Sequence, residues 1–518
     1  MKIVILEHPR VKSEKHFNDI ANTPLWSCLL AGYAASALVN AGHDPLIMEA
    51  ADNNWSFDKT KKELLAISPP LLCINGVYFW EHTQKLFDFV SDLRGDGYKG
   101  HINFFGFFPT LASKLILNKV PAVDSILLGE PEETLVHLAD SIANGENFKQ
   151  IKGIAVIDGE NGFIKSRRPT KKNPDEIPFP LRCLKPGDTA NILASRGCYN
   201  HCSFCPIPSF YNQGPLWRGR SPENITKEIK ELCNMGITDF YFVDPNLIGP
   251  GKKGKERIKR LAELLSPLKI SFGMETRADD LDIITMEKLA DAGLKSLLIG
   301  IESGSSELLN LLDKSSSINQ SEKAISICRD VGIEPEIGFL MFVPDSSIGD
   351  LENNISFLKK NRLLDRLERT VNLLSHYQIV MMGTSGYNNF AGEDRLMKSD
   401  PWGFEYEILF KSKKVKWVSD LVINTCRHLL CCMSDPDSPV FWRKSEDEKK
   451  ISLINNWVLE MFENLLVSAK KTDELPNTEP VKTKLVKDLN QKIKSYRNFK
   501  RSNHGGKSQV VILSLRLR

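Results

Sequence analysis

No stretch of the chain approaches the roughly 18–20 consecutive apolar residues a membrane-spanning helix needs, so no helical span is expected. The opening segment, MKIVILEHPR, holds too short an apolar run for a secretory signal and reads as a buried first strand. There is no low-complexity tract, and no internal repeat of the roughly 20–50-residue period that marks solenoids and propellers. Charge of one sign is not in excess. The 68 Lys and Arg against 65 Asp and Glu leave a formal net charge of +3, which implies no global electrostatic partner. Hydrophobic residues at 42% and charged residues at 26% exclude wholesale disorder, a collagen-like repeat and a disulfide miniprotein. A cytoplasmic protein is the expectation. In a reducing compartment, eleven cysteines point to metal or redox chemistry before disulfides.

The 518 residues are enough for three to four domains at about 150 residues each. Up to about residue 145, strand and helix patterns alternate in about five βα units, the rhythm of a doubly wound parallel sheet. Ligands of such sheets sit beyond the strands' carboxyl ends. Here those ends are the loops His8–Arg10, Gly76–Trp80, Gly106–Thr110 and Gly129–Glu133. Residues 148–189 read as a connector: Ile151–Ile157 and Gly162–Ser166 pair as a hairpin, and the polar, proline-punctuated KSRRPTKKNPDEIPFP follows.

A second βα series begins at about residue 190. Its expected strands are Ile192–Ser195, Asp239–Val243, Ile270–Glu275, Ser296–Ile301, Glu336–Phe342 and Ser375–Met381. The helix after Ser221 carries a start signal, Pro222 and Glu223, and an apolar stripe at Ile225, Ile229 and Leu232. Six units without a seventh and eighth suggest an open, partial barrel. Beyond about residue 390 the pattern turns helical, clearest at Val418–Cys431 and Ile451–Ala469; Trp402, Phe404, Tyr406 and Trp417 are expected to pack this region against the barrel. From Lys482 onward, eleven Lys and Arg stand against the single acid Asp488, which reads as a solvated helix and terminus; nucleic acid is not expected as a partner.

The sharpest signal is Ser-Arg-Gly-Cys198-Tyr-Asn-His-Cys202-Ser-Phe-Cys205, a C-x3-C-x2-C loop directly after the first strand of the second series. Three thiolates on one loop suit an iron–sulfur cluster. Three ligands instead of four leave one iron open, and an open iron means chemistry beyond electron carriage. Zinc is disfavoured because no second cysteine knuckle follows. Cys233 and Cys328 sit in helix patterns and read as core.

This loop, with Phe204 before its last cysteine, resembles the radical S-adenosylmethionine (SAM) superfamily. The segments PIPSFY, WRGRSPENITKEI, FVDPNLIGPGKKG, ETRAD and IGIESGS extend the likeness to its cobalamin-binding branch. So do TPLWSCLLAGYAASALVNAGH and FFGFFPTL…VDSILLGEPEETLVHLAD in the first domain. The resemblance implies a Rossmann-like cobalamin-binding domain over residues 1–147, a connector over 148–189, a radical SAM partial barrel over 190–390 and a helical domain with a basic tail over 391–518. It implies that Cys198, Cys202 and Cys205 hold a [4Fe–4S] cluster whose open iron chelates SAM, and that one electron splits the sulfonium to give a 5′-deoxyadenosyl radical.

The same resemblance places Phe204 against the adenine, Asp244 on the amino group, Arg277 on the carboxylate, and Glu302 and Ser303 on the ribose. The competing reading of each is a strand-end polar residue serving a turn, or an acid–arginine pair at the barrel mouth. For cobalamin, the resemblance implies Gly106, Phe107, Phe108, Pro109, Thr110, Gly129 and Glu130 along the first sheet's carboxyl edge. Trp26 and Ser27 would face the same crevice, and Tyr78 and Phe79 would lie near the lower face of cobalt. Phe105–Thr110 departs from the branch's GGPHAT-like loop, and no D-x-H-x-x-G motif supplies an axial histidine. Cobalamin without histidine ligation from this chain is therefore expected, with His8 read as a strand-end histidine bonded to a loop. Met382–Tyr387 replaces the usual PGT-P-like turn.

The activity implied is a methyltransferase, delivering a methyl group from methylcobalamin to a poorly nucleophilic carbon of a small-molecule or peptide substrate. A flavodoxin or ferredoxin would be the reductant. The rival is a cyclisation or ring rearrangement with the same cofactors. A methylthiotransferase is disfavoured, since only Cys28 and Cys73 precede Cys183. A vestigial cobalamin carrier is disfavoured by the intact cysteine loop.

Overall fold

The computed structural model describes residues 1–10, 29–77, 82–159, 162–211, 214–436, 438–441, 448–472 and 474–494. The chain divides into two compact units. The first gathers Met1–Ile299, Ile327–Pro335 and Val380–Glu407; the second gathers Gly300–Ser326, Glu336–Ile379 and the chain from Ile408 onward.

The first unit opens with five βα units. Their strands are β1 (Lys2–Glu7), β2 (Asp44–Glu49), β3 (Leu71–Asn75), β4 (His101–Phe105) and β5 (Ser125–Leu127). The helices are α1 (Leu29–Asn40), α2 (Phe57–Ile67), α3 (Thr83–Gly95), α4 (Phe107–Lys119) and α5 (Glu132–Asn144). β1 and β3 read as continuous apolar runs because both faces are covered, and Ile3 to Leu6 and Leu71 to Ile74 are fully buried. One face packs Leu86, Phe87, Val90, Phe108 and Ile116 from α3 and α4; the other packs Ala31, Ala34, Leu38, Leu135 and Leu138 from α1 and α5.

The hairpin expected in the connector forms as β6 (Ile154–Asp158) and β7 (Gly162–Lys165). It extends the first sheet instead of standing apart, since β6 pairs antiparallel with β5 through Ile126–Ala155 and Leu127–Ile154. The order is β2-β1-β3-β4-β5-β6-β7. The order of strand addition reverses between β1 and β3, which run parallel, and such a switch point opens a crevice beyond the strand ends.

The second series begins with β8 (Thr189–Ile192), followed by a two-stranded ribbon of β9 (Ser195–Gly197) and β10 (Trp217–Gly219). The single strand expected at Ile192–Ser195 is thus split: the chain leaves the sheet at Leu193 and re-pairs as a stem beneath the cysteine loop. Next come α6 (Ile207–Phe210), α7 (Pro222–Asn234), β11 (Asp239–Phe242), α8 (Gly251–Leu265), β12 (Ser271–Arg277), α9 (Ile283–Asp291), β13 (Leu294–Glu302) and β14 (Glu336–Phe339). The sheet order is β14-β13-β12-β11-β8, with β11 parallel to β8 and β12. The start signal of α7 acts as read: the Ser221 hydroxyl accepts from the Asn224 amide at 3.1 Å.

Three sequence expectations change. The strand expected over Ser375–Met381 is reduced to a bridge between Phe342 and Tyr377. Leu367–Ser375 before it is a helix, because Leu367, Val371 and Leu374 recur at helical spacing and are buried together. The helix expected at Leu111–Leu117 starts four residues earlier at Phe107, with Gly106 as its cap and Pro109 in its first turn, where proline is tolerated. Trp402 and Phe404 pack into the first sheet's core, where the Phe404 ring lies 4.9 Å from that of Phe87.

The second unit is mainly helical. Helices Lys413–Ser434, Glu448–Lys471 and Thr478–Lys494 carry the buried residues Val418, Leu429, Val458, Phe462 and Leu489. Trp417 Nε1 donates to the Pro476 carbonyl at 2.9 Å. Among the described residues no helix is long and apolar enough to cross a membrane.

Candidate active site

The cysteine loop is built on the β9–β10 stem. Gly197 has φ +83°, and a side chain there would collide with the Leu216 carbonyl, so the turn into Cys198 requires glycine. Cys202 and Cys205 close a turn, the Cys205 amide donating to the Cys202 carbonyl at 3.1 Å. Cys198 and Cys205 are half-buried against Ile207, Phe210, Tyr211 and Phe107. Cys202 is buried, and its sulfur accepts from Asn200 Nδ2 at 3.2 Å. Phe204 is half-buried between the last two cysteines.

The stem's underside is held by charge. Arg196 Nη1 donates to Glu130 Oε1 at 2.9 Å, and Nη2 to Glu132 Oε1 at 2.7 Å. Arg218 Nη2 donates to Glu130 Oε2 at 2.9 Å. The Arg196 guanidinium also lies 4.5 Å from the Tyr33 ring centre. Glu130 and Glu132 follow β5, so these pairs join the first sheet's carboxyl edge to the base of the cysteine loop.

Above the stem, Asp244 follows β11 fully buried, accepting from the Ala194 amide at 3.0 Å and the Ser195 hydroxyl at 2.5 Å. Burial pushes its carboxyl up to about 6, against the pull of those donors. Arg257 staples the carbonyls of Ala194 at 2.6 Å, Arg220 at 2.7 Å and Leu247 at 3.0 Å. Tyr199, inside the loop, donates to both oxygens of Asp280 at 2.9 Å. Asn246 donates to Asp280 at 2.7 Å, and Thr276 to Asn246 at 3.1 Å. Arg277, at the end of β12, pairs with Asp279 at 2.9 Å and lies 5.5 Å from the Tyr199 ring centre. Burial opposes its charge, but Asp279, Tyr199 and Cys202 hold its pKa above the ordinary arginine range.

Asp244 and Arg277 therefore stand where the sequence expects them, at strand carboxyl ends, but each already has protein partners, as their competing reading has it. Glu302 and Ser303 lie in the second unit. Glu302 takes φ +69° and accepts from a buried Lys314 at 2.8 Å. Ser303 donates to Asn354 at 2.7 Å. A non-glycine residue held in that region is strained, and such strain gathers at functional sites.

On the first sheet's edge, Gly106 has φ +109°, and a Cβ there would lie 2.7 Å from Asn75 Oδ1 and 2.9 Å from the Gly76 carbonyl. Thr110 is buried, donating to the Gly106 carbonyl at 2.7 Å and accepting from the Gly129 amide at 3.0 Å. Phe107 stacks on Phe210 with ring centres 4.0 Å apart. Phe108 and Pro109 are buried, Phe108 in the core. Glu7 accepts from Asn75 at 2.7 Å and from Arg10. His8 is fully buried with its Nδ1 2.8 Å from the Pro9 carbonyl, the loop-bonded histidine expected. A small cleft of about 30 Å³ opens at Gly129 and Glu130, lined also by Arg167, Arg168, Lys171 and Phe210. Trp26, Ser27, Tyr78 and Phe79 lie outside the described residues.

Residues 192–358 match the Radical SAM superfamily. The chain carries a radical SAM domain. Its relatives include an uncharacterized methyltransferase of Pyrococcus horikoshii, 25% identical over 70% of this chain and 78% of that protein. An anaerobic magnesium-protoporphyrin IX monomethyl ester cyclase of Cereibacter sphaeroides is 26% identical over 68% of this chain and 58% of that one. The chain thus spans less than two thirds of the cyclase. Among solved structures, the cobalamin-dependent SAM radical enzyme OxsB, with aquacobalamin and SAM bound, aligns over 97% of this chain and 82% of its own. Its TM-score is 0.72 at 16% identity, a likeness of fold. The radical SAM methyltransferase TsrM of Kitasatospora setae aligns over 91% and 98% with a TM-score of 0.64 at 13% identity.

A radical SAM domain takes a [4Fe–4S] cluster and SAM, and the loop of this domain fits that cluster. None of the three cysteines forms a disulfide; Cys202 is buried, and Cys198 and Cys205 are half-buried against a buried apolar cluster. Among the described residues no three His, Cys, Asp or Glu converge on a single metal ion. A cluster asks for something else, since each cysteine ligates a different iron. The Asn200 pair and the Tyr199–Asp280 anchor went unseen in the sequence; the polar character of Y-N between the first two cysteines was their only trace.

Proposed function

We propose that this chain is a cobalamin-dependent radical SAM methyltransferase acting on a poorly nucleophilic carbon. The observation that carries the reading is the three-cysteine loop whose stem is ion-paired to the carboxyl edge of a sheet of order β2-β1-β3-β4-β5. The main chain of that edge is closely set: Gly106, at positive φ and packed against Asn75 and Gly76, admits no side chain. When bound, the cluster, SAM and cobalamin supply one-electron chemistry and a transferable methyl group.

In this reading Cys198, Cys202 and Cys205 hold the cluster and Phe204 covers the adenine beside it. Asp244 fixes the strand end through Ala194 and Ser195, and Arg277 faces the carboxylate while held by Asp279. Gly106, Phe107, Pro109, Thr110, Gly129 and Glu130 shape the corrin edge, while Phe108 belongs to the core behind it. The methyl acceptor is a small molecule or a peptide side chain, and a flavodoxin-like or ferredoxin-like reductant supplies the electron.

A second reading keeps the cofactors and omits methyl transfer. It is favoured by relatives named as cyclases and by a 4′-phospho-dehydrooxetanocin synthase of Priestia megaterium, 27% identical over 68% of this chain. The test is anaerobic reconstitution with iron, sulfide and hydroxocobalamin, then turnover with SAM and candidate substrates. About four iron and one cobalt per chain, with both 5′-deoxyadenosine and S-adenosylhomocysteine formed, is the expected result. Iron without cobalt sinks the cobalamin reading. 5′-Deoxyadenosine without S-adenosylhomocysteine turns the assignment to rearrangement.

A further inference from the structure

The three cysteines of the loop do not have equivalent surroundings. Cys198 and Cys205 face an apolar, aromatic patch of Ile207, Phe210, Tyr211 and Phe107. Cys202 is buried, and a buried side-chain amide, Asn200 Nδ2, stands 3.2 Å from its sulfur. The residue before that amide is anchored, because Tyr199 donates to both oxygens of Asp280, each at 2.9 Å. The anchor is braced in turn by Asn246 and Thr276. The donor is therefore held at the sulfur by the loop's own fixings.

We infer that Asn200 is a positioning residue that acts through Cys202 to make the cluster easier to reduce. This rests on the radical SAM reading of the same loop. One-electron reduction adds negative charge that spreads onto the sulfurs. A hydrogen bond to a ligand sulfur stabilises the more negative state more than the less negative one and raises the potential. The effect is larger where water is excluded, as it is around Asn200 and Cys202.

The test compares wild type, Asn200→Ala and Asn200→Asp, each reconstituted anaerobically and assayed first for iron and sulfide. Midpoint potentials then come from EPR-monitored redox titration without substrate. The alanine variant loses the donor, and the aspartate variant sets an acceptor against the sulfur. The expected result is full iron in all three, with the midpoint moving to more negative potential in alanine and further in aspartate. Equal midpoints at full iron overturn the inference. If the variants lose iron, wild type labelled with 15N-asparagine decides, since pulsed EPR of its reduced cluster must show a 15N coupling from one side-chain amide. Absence of that coupling overturns the inference. A wild type that takes up no iron overturns the radical SAM reading itself, a failure distinct from the other two.

Discussion

The chain carries two sheets whose central strands run parallel, and their carboxyl edges are finished differently. At the first edge Gly76, Gly106 and Gly129 bring main chain close and Thr110 ties two turns together, with charge confined to Glu7 and to Glu130 and Glu132, which face the cysteine stem. The second is finished with side chains that carry charge or coordinate: three cysteines, Asp244, Arg277 and Asp280. A backbone edge recognises by shape, so its substitutions act by steric exclusion. A charged edge recognises by electrostatics and ligation, and a change there acts by removing one partner from a buried set.

The largest effect belongs to the second edge. Replacing Cys198, Cys202 and Cys205 together by alanine is expected to abolish iron binding and all SAM cleavage while leaving cobalt uptake intact, read by metal analysis and 5′-deoxyadenosine formation. Cobalt lost together with iron would break the separation of the two edges. Next is the joint between them. Arg196→Ala strips Glu130 and Glu132 of a buried partner and is expected to cost about 3–5 kcal/mol in denaturant unfolding. It is also expected to lower iron and cobalt occupancy together, because the pair joins both edges. Loss of less than about 1 kcal/mol, the range of exposed pairs, would show that the joint is a bystander. Smaller again is Gly106→Ala, which adds a Cβ 2.7 Å from Asn75 Oδ1 at a positive φ. A cost of about 1–3 kcal/mol is expected, with weakened cobalamin binding and unchanged iron. A fall in iron here would blur the comparison.

What the sequence made legible was what lies close along the chain. The cysteine spacing, the Ser221 cap and the continuous apolar strands depend on neighbours within a few residues. The Arg196–Glu130 and Arg218–Glu130 pairs join residues 66 and 88 positions apart, and no local pattern announces them. Phe404 was placed with the C-terminal helices because it lies near them in sequence, yet it fills the core under α3 and α4. The loop expected at Gly106–Thr110 after the fourth strand is in fact the start of a helix, with Gly106 as its cap and Pro109 in its first turn. The strand expected at Ser375–Met381 came from apolar content, while the helical recurrence just before it decided the structure. Asp244 and Arg277 stand near the ends of β11 and β12, and their partners Ser195 and Asp279 depend on how those strands are assembled.

The finest test of the comparison is its response to pH, because His8 at the first edge and Asp244 at the second are shifted so as to titrate with opposite effect on stability. At the first edge His8 is wholly buried, and burial and Arg10 lower its pKa to about 3 from an ordinary value near 6.5. A depressed base favours the neutral form in the fold. Its contribution is fully present above the unfolded value near 6.5 and is lost as pH falls toward 3. At the second edge Asp244 is raised to about 6 from an ordinary 3.8. Its folded form favours the proton, so its contribution is present below 3.8 and lost as pH rises through 6. Difference curves of urea unfolding free energy, variant minus wild type, isolate each group from the rest of the titration. His8→Gln is expected to gain on wild type as pH falls from about 6.5 to 4.5. Asp244→Asn, which keeps an acceptor for one of its two donors, is expected to gain as pH rises from about 4 to 6.5. The two slopes have opposite sign. If both variants track wild type in parallel, the two groups titrate alike folded and unfolded, and the contrast between the edges does not extend to protons.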